Sequence, residues 1–519
     1  MTRRAPVQGG VPASVALAVA GGVLHVLGFV GFGRWPLALI CLVPVWIALE
    51  RCRTLAGAAA VGFLFGAVSY AGGFLWMWRI VAVFLAGNVV LGGALWGLDA
   101  SWFALRYAAW AVLYALVRRR GWGVALAGVP TLVAVEWLYP MLFPVFLGHA
   151  LAPSLTLIQV SDLGGPLLLT ALTALLNGAV YETWAWARGR SRPRALWATA
   201  LAALLATAGY GHLRLAQIDR LAAAAPTLRV GIVQGNLGVQ EKGRDARADQ
   251  RRYVAQTRTL LAAGEVDLVV WPETVLARGL RGPLPIAGDL VRDDLTMPLL
   301  FGGVLVGEAD GRRAAYNAAL LVDGDGVVRT AYAKNLLVPF TEYVPFGDRL
   351  PGLAARFASP AHFAAATTTP SLRLGTWRIA TPICYEAVRP AFVRRMVREG
   401  EANLLVSLAN DAWFGDSQEP WLHLQMARLR AVEQRRALVR ATNSGISAVV
   451  DPAGRIVARS ALLAAENLRA AVPQMAMHTP YARAGDWPGW LAVATVAVLL
   501  GRSRAPAPTR RLLSGRRLW

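Results

Sequence analysis

The sequence predicts a bundle of about eight membrane-spanning helices joined to an α/β layered domain, and three observations carry that prediction. The 519 residues are 56% hydrophobic with a mean hydropathy of +0.44, too apolar for a soluble protein of this size. Long apolar runs fill the chain up to residue 212 and return once near the C-terminus. Between 226 and 475 the texture changes to short β-like runs punctuated by Gly, Pro and Asp, alternating with helical stretches.

A helix crosses about 30 Å of hydrocarbon in roughly 20 residues. Runs that meet or approach this length lie at 12–33, 36–50, 55–78, 82–117, 121–146, 166–186, 195–212 and 487–501. The second and last are short. The fourth is long and contains Asp99 and Arg106, which leaves room for a broken or re-entrant piece. Arg3 and Arg4 precede the first run as in a signal peptide, but no clear small-residue cleavage site follows, so it is read as a retained span.

Arginine placement orients the bundle, because short positively charged loops stay in the cytoplasm. Arg3 and Arg4, Arg51 and Arg53, Arg118 to Arg120, Arg188 to Arg194 and the Arg502 to Arg517 tail fall on one side; the short loops of the other side hold only Arg34 and Arg79. The expected layout is a transmembrane region over 1–218, an extracytoplasmic domain over 219–480, a last span over 481–501 and a basic cytoplasmic tail over 502–519. The formal charge of +22 is thereby spent on topology; nucleic-acid binding would need it gathered on a soluble surface.

Within the α/β domain, 227–233, 267–271, 299–306, 318–322, 327–331, 378–382, 403–408 and 447–450 read as strands, and 247–263, 390–399 and 421–440 as helices. The 322–326 and 451–454 turns read as hairpins.

Chemistry begins with lysine, because only Lys242 and Lys334 among 53 basic residues are lysines. Lysine is a compact point charge that can sit beside a small oxyanion, where the wide fork of arginine does not fit. Lys334 follows a predicted strand and is either such a cation or a surface lysine; Lys242, in a polar stretch, reads as a solvated loop residue. Glu273 ends the Trp271-Pro272-Glu273 strand exit, where it could be an acid–base group or a helix N-terminal charge. Cys384 follows a strand and leads toward a helix, a setting expected to lower a thiol pKa and to offer oxyanion donors; a plain buried cysteine is the alternative. Cys41, Cys52 and Cys384 stand in unrelated settings, which excludes a disulfide framework. The six histidines are scattered without metal spacing, and no cofactor or metal is expected. Glu136 either lines a route for lipid or reaches water at the membrane interface.

Taken in order, Glu273 in Trp-Pro-Glu, Lys334 in Tyr-x-Lys and Cys384 in Cys-Tyr-Glu resemble the signature of the nitrilase, or carbon-nitrogen hydrolase, superfamily. The stretches Gly231 to Asn236, Leu337 to Phe346, Asn410 to Ser417 and Arg440 to Ile446 are more closely similar to the apolipoprotein N-acyltransferase family, as is the layout of spans, domain and final span. The resemblance implies an αββα sandwich for the α/β domain. It also implies that Cys384 is the nucleophile, Glu273 the general base and Lys334 the oxyanion-stabilising cation, with Glu342 orienting Lys334 and Tyr385 and Glu386 shaping the site. Trp413 and Phe414 fit either a mobile lid that meets lipid chains or core packing. Leu336, Thr341 and Gly243 stand where the family commonly has histidine, glycine and tryptophan.

The implied activity is transfer of a fatty acyl chain from a membrane phospholipid, through a cysteine thioester, to the N-terminal amine of a diacylglyceryl apolipoprotein. The expected setting is a bacterial inner membrane and a monomer, without nucleic acid. A membrane-tethered amidase would use the same three residues but deliver the acyl group to water, and a transport protein would need paired intramembrane charges in a repeated pattern, which the sequence lacks.

Overall fold

The structure, a computed structural model, describes residues 10–502 apart from 30, 79, 81–87, 239–240, 243, 282–283, 310–311, 348, 350–351 and 353–362. Arg3, Arg4, Arg79, Gly243 and the tail beyond 502 therefore lie outside the described residues.

The apolar runs fold as α1 (Gly10–Gly28), α2 (Leu42–Leu49), α3 (Leu55–Gly73), α4 (Val89–Arg119), α5 (Val124–Leu138), α6 (Ser161–Trp186) and α7 (Arg194–Ala223). Among the described residues, α3, α4, α7 and the stretch Leu157–Trp186 are long and apolar enough to cross a membrane, and shorter apolar helices occupy Pro12–Gly28, Trp35–Leu49, Val124–Leu138 and Trp487–Gly501. The fourth predicted run is not broken within its described part: α4 continues through 31 residues. The irregular backbone lies instead in α6, where Gly165 takes φ 66 next to Pro166. Glycines let the helices touch: a Cβ at Gly62 would strike the backbone and side chains of α4 at Tyr107 and Ala111.

Two carboxylates of the bundle are partnered inside it. Asp99 accepts a hydrogen bond from the Tyr70 hydroxyl. Glu136 is 3% exposed, so it neither reaches water nor lines a lipid route. It lies 3.4 Å from the Arg106 guanidinium and accepts hydrogen bonds from Thr170 Oγ1 (2.7 Å) and the Leu147 N–H (2.8 Å).

The second domain is built on two sheets. The first runs β14 (Glu466–Pro473), β1 (Thr227–Gln234), β2 (Leu268–Val270), β5 (Leu299–Ala309), β6 (Arg312–Val322), β7 (Val327–Ala333) and β4 (Ile286–Ala287), with β3 (Leu276–Arg281) also paired to β5. The second runs β13 (Ile456–Arg459), β12 (Ala448–Val450), β11 (Leu438–Thr442), β10 (Leu404–Ala409), β9 (Trp377–Ala380) and β8 (Leu372–Leu374). Alternation places the layers: Leu268 and Val270 of β2 join Ile379, Leu404 and Val439 in a core between the sheets, while Val269 turns to the other face and meets Tyr253 and Leu260. Those two belong to α8 (Ala246–Ala262); α9 (Pro390–Glu399) and α10 (Glu419–Gln434) cover the outer face of the second sheet. The result is helix, sheet, sheet, helix.

The central strands β1, β2 and β5 are parallel, as are β9, β10 and β11, and the two expected hairpins join β6 to β7 and β12 to β13. One element differs in kind. The helix read over 421–440 stops at Gln434 because Arg435 adopts a left-handed conformation (φ 51), and 438–442 is strand β11. Strands β3, β4, β8, β13 and β14 have no counterpart in the sequence reading.

After the short helix Pro480–Ala484, the last apolar helix, α11 (Trp487–Gly501), returns to the bundle. The domain and the bundle share one continuous core in which Tyr385, Phe414, Leu422 and Met426 pack with Trp76, Phe103 and Phe146. A buried ion pair adds to it, as Arg435 donates to Asp162 at 2.7 and 2.9 Å.

Candidate active site

Parallel strands deliver the motif residues to one end of the sandwich, outside the carboxyl ends of β2 and β9, where α/β sheets leave a crevice. Glu273 stands three residues past β2, Lys334 directly follows β7, and Cys384 lies four residues past β9. The loop that carries Glu273 presses onto β5: a Cβ at Gly302 would come within 2.5 Å of the Glu273 Cα and the Thr274 nitrogen.

Lys334 is 1% exposed, and its Nζ lies 2.9 Å from Glu342 Oε1 and 3.4 Å from Glu273 Oε1. Asn317, in the middle of β6, bridges the same carboxylates, its Nδ2 donating to Glu273 Oε1 (2.7 Å) and to Glu342 Oε1 (2.9 Å). Its backbone carbonyl accepts from the Lys334 N–H at 2.8 Å, which fixes the lysine in register. Burial alone would lower the Lys334 pKa, but Glu342 and Glu273 together hold it above the ordinary lysine value.

Cys384 takes φ 50, a left-handed conformation that a non-glycine residue adopts only when its surroundings enforce it. The elbow continues as a five-residue 3-10 turn, Cys384–Val388, rather than directly as a helix. Contrary to the sequence expectation, the thiol pKa is pushed up well above its ordinary value, by burial first and by the Glu273 charge second, with Lys334 opposing. A short 3-10 turn supplies too little positive field to reverse that.

Glu386 braces the elbow from beneath. Its carboxylate accepts from the Tyr332 hydroxyl (2.7 Å) and from the N–H groups of Asn335 (2.7 Å), Leu336 (3.0 Å) and Ile383 (2.9 Å), so it ties the lysine loop to the cysteine loop. Burial still pushes it up to about 7. Tyr385 turns toward the bundle, donates to the Leu142 carbonyl and meets Phe143 edge-on at 5.5 Å. Phe414 takes the packing alternative: it is buried, with its ring 5.3 Å from that of Trp76 in a T-shape. Trp413 is half-buried against the same cluster. The exposed aromatics near the site are instead Phe340, Tyr343 and Phe346.

The structure adds residues that sequence reasoning missed. Lys242 is not a solvated loop residue; its ammonium donates to the Glu273 carbonyl (2.7 Å) and to Thr274 Oγ1 (3.1 Å), and burial lowers its pKa to about 8. Its rarity was the available signal, the same one that singled out Lys334. Asn317 was visible as a lone polar residue in the apolar run from Ala314 to Leu321. His423 Nε2 lies 3.2 Å from the Cys384 carbonyl, and its Nδ1 lies 3.2 Å from Asp411, which Arg440 pairs at 2.6 Å. Asp411, Glu419 and His423 present ligand-type atoms within 4.8 Å of one another, but the Arg440 guanidinium already supplies the positive charge on Asp411. No sequence spacing pointed to that group.

With fold and site in view, the class follows: residues 229–477 match the family model of carbon-nitrogen hydrolase, and the two-sheet domain is of that kind. Residues 21–179 match the model of the apolipoprotein N-acyltransferase N-terminal domain. Proteins named apolipoprotein N-acyltransferase match nearly end to end. The one from Azotobacter vinelandii is 34% identical, with 93% of each chain covered, and that from Geobacter metallireducens is 31% identical over 93% of this chain and 94% of its own. That from Pseudomonas aeruginosa is 31% identical over 95% and 97%. The chain belongs to the apolipoprotein N-acyltransferase family, enzymes of bacterial membranes.

Proposed function

We propose that this protein N-acylates lipoproteins in two steps through a thioester on Cys384. The observation that carries the reading is the buried group in which Lys334 is shared by Glu273 and Glu342 within electrostatic reach of the Cys384 thiol. A thiol held protonated by its surroundings needs a base at the moment of attack, and Glu273 is the carboxylate that contributes most to that effect.

In the first step the thiol proton passes to Glu273 as the sulfur attacks the ester carbonyl of a membrane phospholipid. The oxyanion forms beside the Lys334 ammonium and the Tyr385 N–H, and its collapse breaks the ester C–O bond. Glu273 returns the proton to the leaving lysophospholipid alkoxide. In the second step the α-amine of a diacylglyceryl-cysteine attacks the thioester, its proton goes to Glu273, and the thiolate leaves and is reprotonated. Glu342 and Asn317 position Lys334, and Glu386 and Tyr385 hold the elbow against the bundle.

The arginine distribution favours a domain over 219–480 facing outward, with a transmembrane region over 1–218, a last span over 481–501 and a cytoplasmic tail over 502–519. The protein acts as a monomer in the bacterial inner membrane, a setting in which acyl donor and acceptor both partition beside the site. The test is incubation of the detergent-purified protein with a phospholipid and a diacylglyceryl peptide. Triacylated peptide is expected with the native chain and none with Cys384→Ala. Release of free fatty acid without peptide acylation would point to a tethered hydrolase instead.

A further inference from the structure

Away from the site just described, α9 ends in a basic pocket. Arg394 and Arg398 of α9, Arg436 and Gln434 at the end of α10, and His478 and Arg483 from the segment leading to α11 line it. Four arginines converge here, and among the described residues none of them forms an ion pair with a carboxylate. Arg436 is 2% exposed and donates to the carbonyls of Ala402 (2.7 Å), Gln434 (2.8 Å) and Met477 (2.6 Å), neutral acceptors that leave its charge without a counterion. Burial and the neighbouring Arg378 lower its pKa to about 10, as expected for a cation held among cations.

A second observation is independent of charge. Gln434 is 1% exposed, and neither atom of its side-chain amide has a hydrogen-bond partner. A buried amide left unsatisfied is costly, so its persistence in a pocket wall points to a polar occupant. The location narrows the choice. Arg394 packs its guanidinium against Gly485, two residues before α11, and Trp487 and Trp490 at the start of α11 are exposed in the manner of interfacial tryptophans.

From this geometry we infer that the pocket binds the phosphate of an anionic phospholipid headgroup, through Arg394, Arg398 and Arg483 at the rim and the Gln434 amide within. Arginine forks match phosphate oxygens two at a time, and the Gln434 NH₂ donates to a further oxygen. The lipid is a structural ligand rather than the acyl donor: the pocket lies at the far end of α9 from Cys384, and its occupant fastens the catalytic domain to the bilayer where the last span begins. Free inorganic phosphate shares the chemistry but lacks the chains that interfacial tryptophans would flank.

Binding is measurable without turnover. The full-length protein in non-ionic detergent would be titrated separately with phosphatidylglycerol, phosphatidylcholine and inorganic phosphate, following native mass and thermal unfolding. The expected result is one retained phosphatidylglycerol per chain, bound at least about tenfold more tightly than phosphatidylcholine and weakened by salt. Arg394→Gln/Arg483→Gln should lose that preference by a similar factor. If the double variant does not fold, Arg483→Glu alone, at an exposed position, serves the same purpose. Equal retention of both lipids, or an unchanged preference in the variant, would overturn the inference; protection by inorganic phosphate equal to that by the lipid would overturn the lipid source.

Discussion

Two buried carboxylate clusters, one in the bundle and one in the catalytic domain, are assembled from the same parts and differ in their charge count. In the bundle Glu136 faces Arg106 one to one, and Thr170 and the Leu147 N–H complete its hydrogen bonds. In the domain Lys334 is shared by two carboxylates, Glu273 and Glu342, with the Asn317 amide donating to both. The Glu136 charge is matched by one guanidinium and both its oxygens accept hydrogen bonds. In the domain the carboxylates stand beside the Cys384 thiol, which has a proton to give, and Lys242 adds a second ammonium at the Glu273 carbonyl. The comparison separates a cluster that fastens helices from one that can do chemistry.

The largest effect should come from removing the extra carboxylate's charge. Glu273→Gln retains a group that fits the Asn317 and Lys334 contacts only in part and cannot accept a proton; acyl-transfer kcat is expected to fall by about 10³-fold, measured with a diacylglyceryl peptide at saturating phospholipid. The matching change in the bundle should act on stability instead. Glu136→Ala strands a buried guanidinium and should cost about 3–5 kcal/mol of stability, read as a lowered midpoint of thermal unfolding, and Glu136→Ala/Arg106→Leu should recover much of it. If Glu136→Ala lowered kcat as strongly as Glu273→Gln, the two clusters would not be distinct in kind.

Gly302→Ala sharpens the contrast within the domain. Its new Cβ would push on the backbone at Glu273 and Thr274, so the carboxylate moves while the core residues around it stay. A loss of about 10- to 100-fold in kcat with a smaller change in KM is expected. The smallest effect is a titration shift. Because the Glu273 charge helps to raise the Cys384 pKa and Lys334 lowers it, alkylation by a neutral reagent should show a lower apparent pKa in Glu273→Gln and a higher one in Lys334→Met. In the native chain the alkylation rate should still be climbing above pH 9.

Sequence reasoning reached the residues that chemistry places at strand exits, because a strand, a turn and a motif residue are contiguous in the chain. Glu273, Lys334 and Cys384 were legible as candidates for that reason, and the apolar runs that became the bundle from their length; Glu342 came only from the resemblance to the family. What depends on register was not. Asn317 reaches Glu273 and Glu342 from mid-strand, and Arg106 reaches Glu136 from one helix to the next. Arg435 ended α10 without a glycine to announce it, held in its left-handed conformation by bonds to Asp162 and Gln159 that only the docked bundle supplies. The thiol pKa was misjudged because helix geometry was assumed where a 3-10 turn stands, and burial then decided the sign.

The account turns on Cys384 carrying the acyl group. Intact mass spectrometry of the purified protein after incubation with one defined phospholipid and no acceptor measures this directly, with peptide mapping to locate any adduct. A gain of one acyl chain on Cys384, absent in Cys384→Ala and discharged by a diacylglyceryl-cysteine peptide, is the predicted result; an adduct elsewhere, or transfer to the peptide by Cys384→Ala, would contradict it.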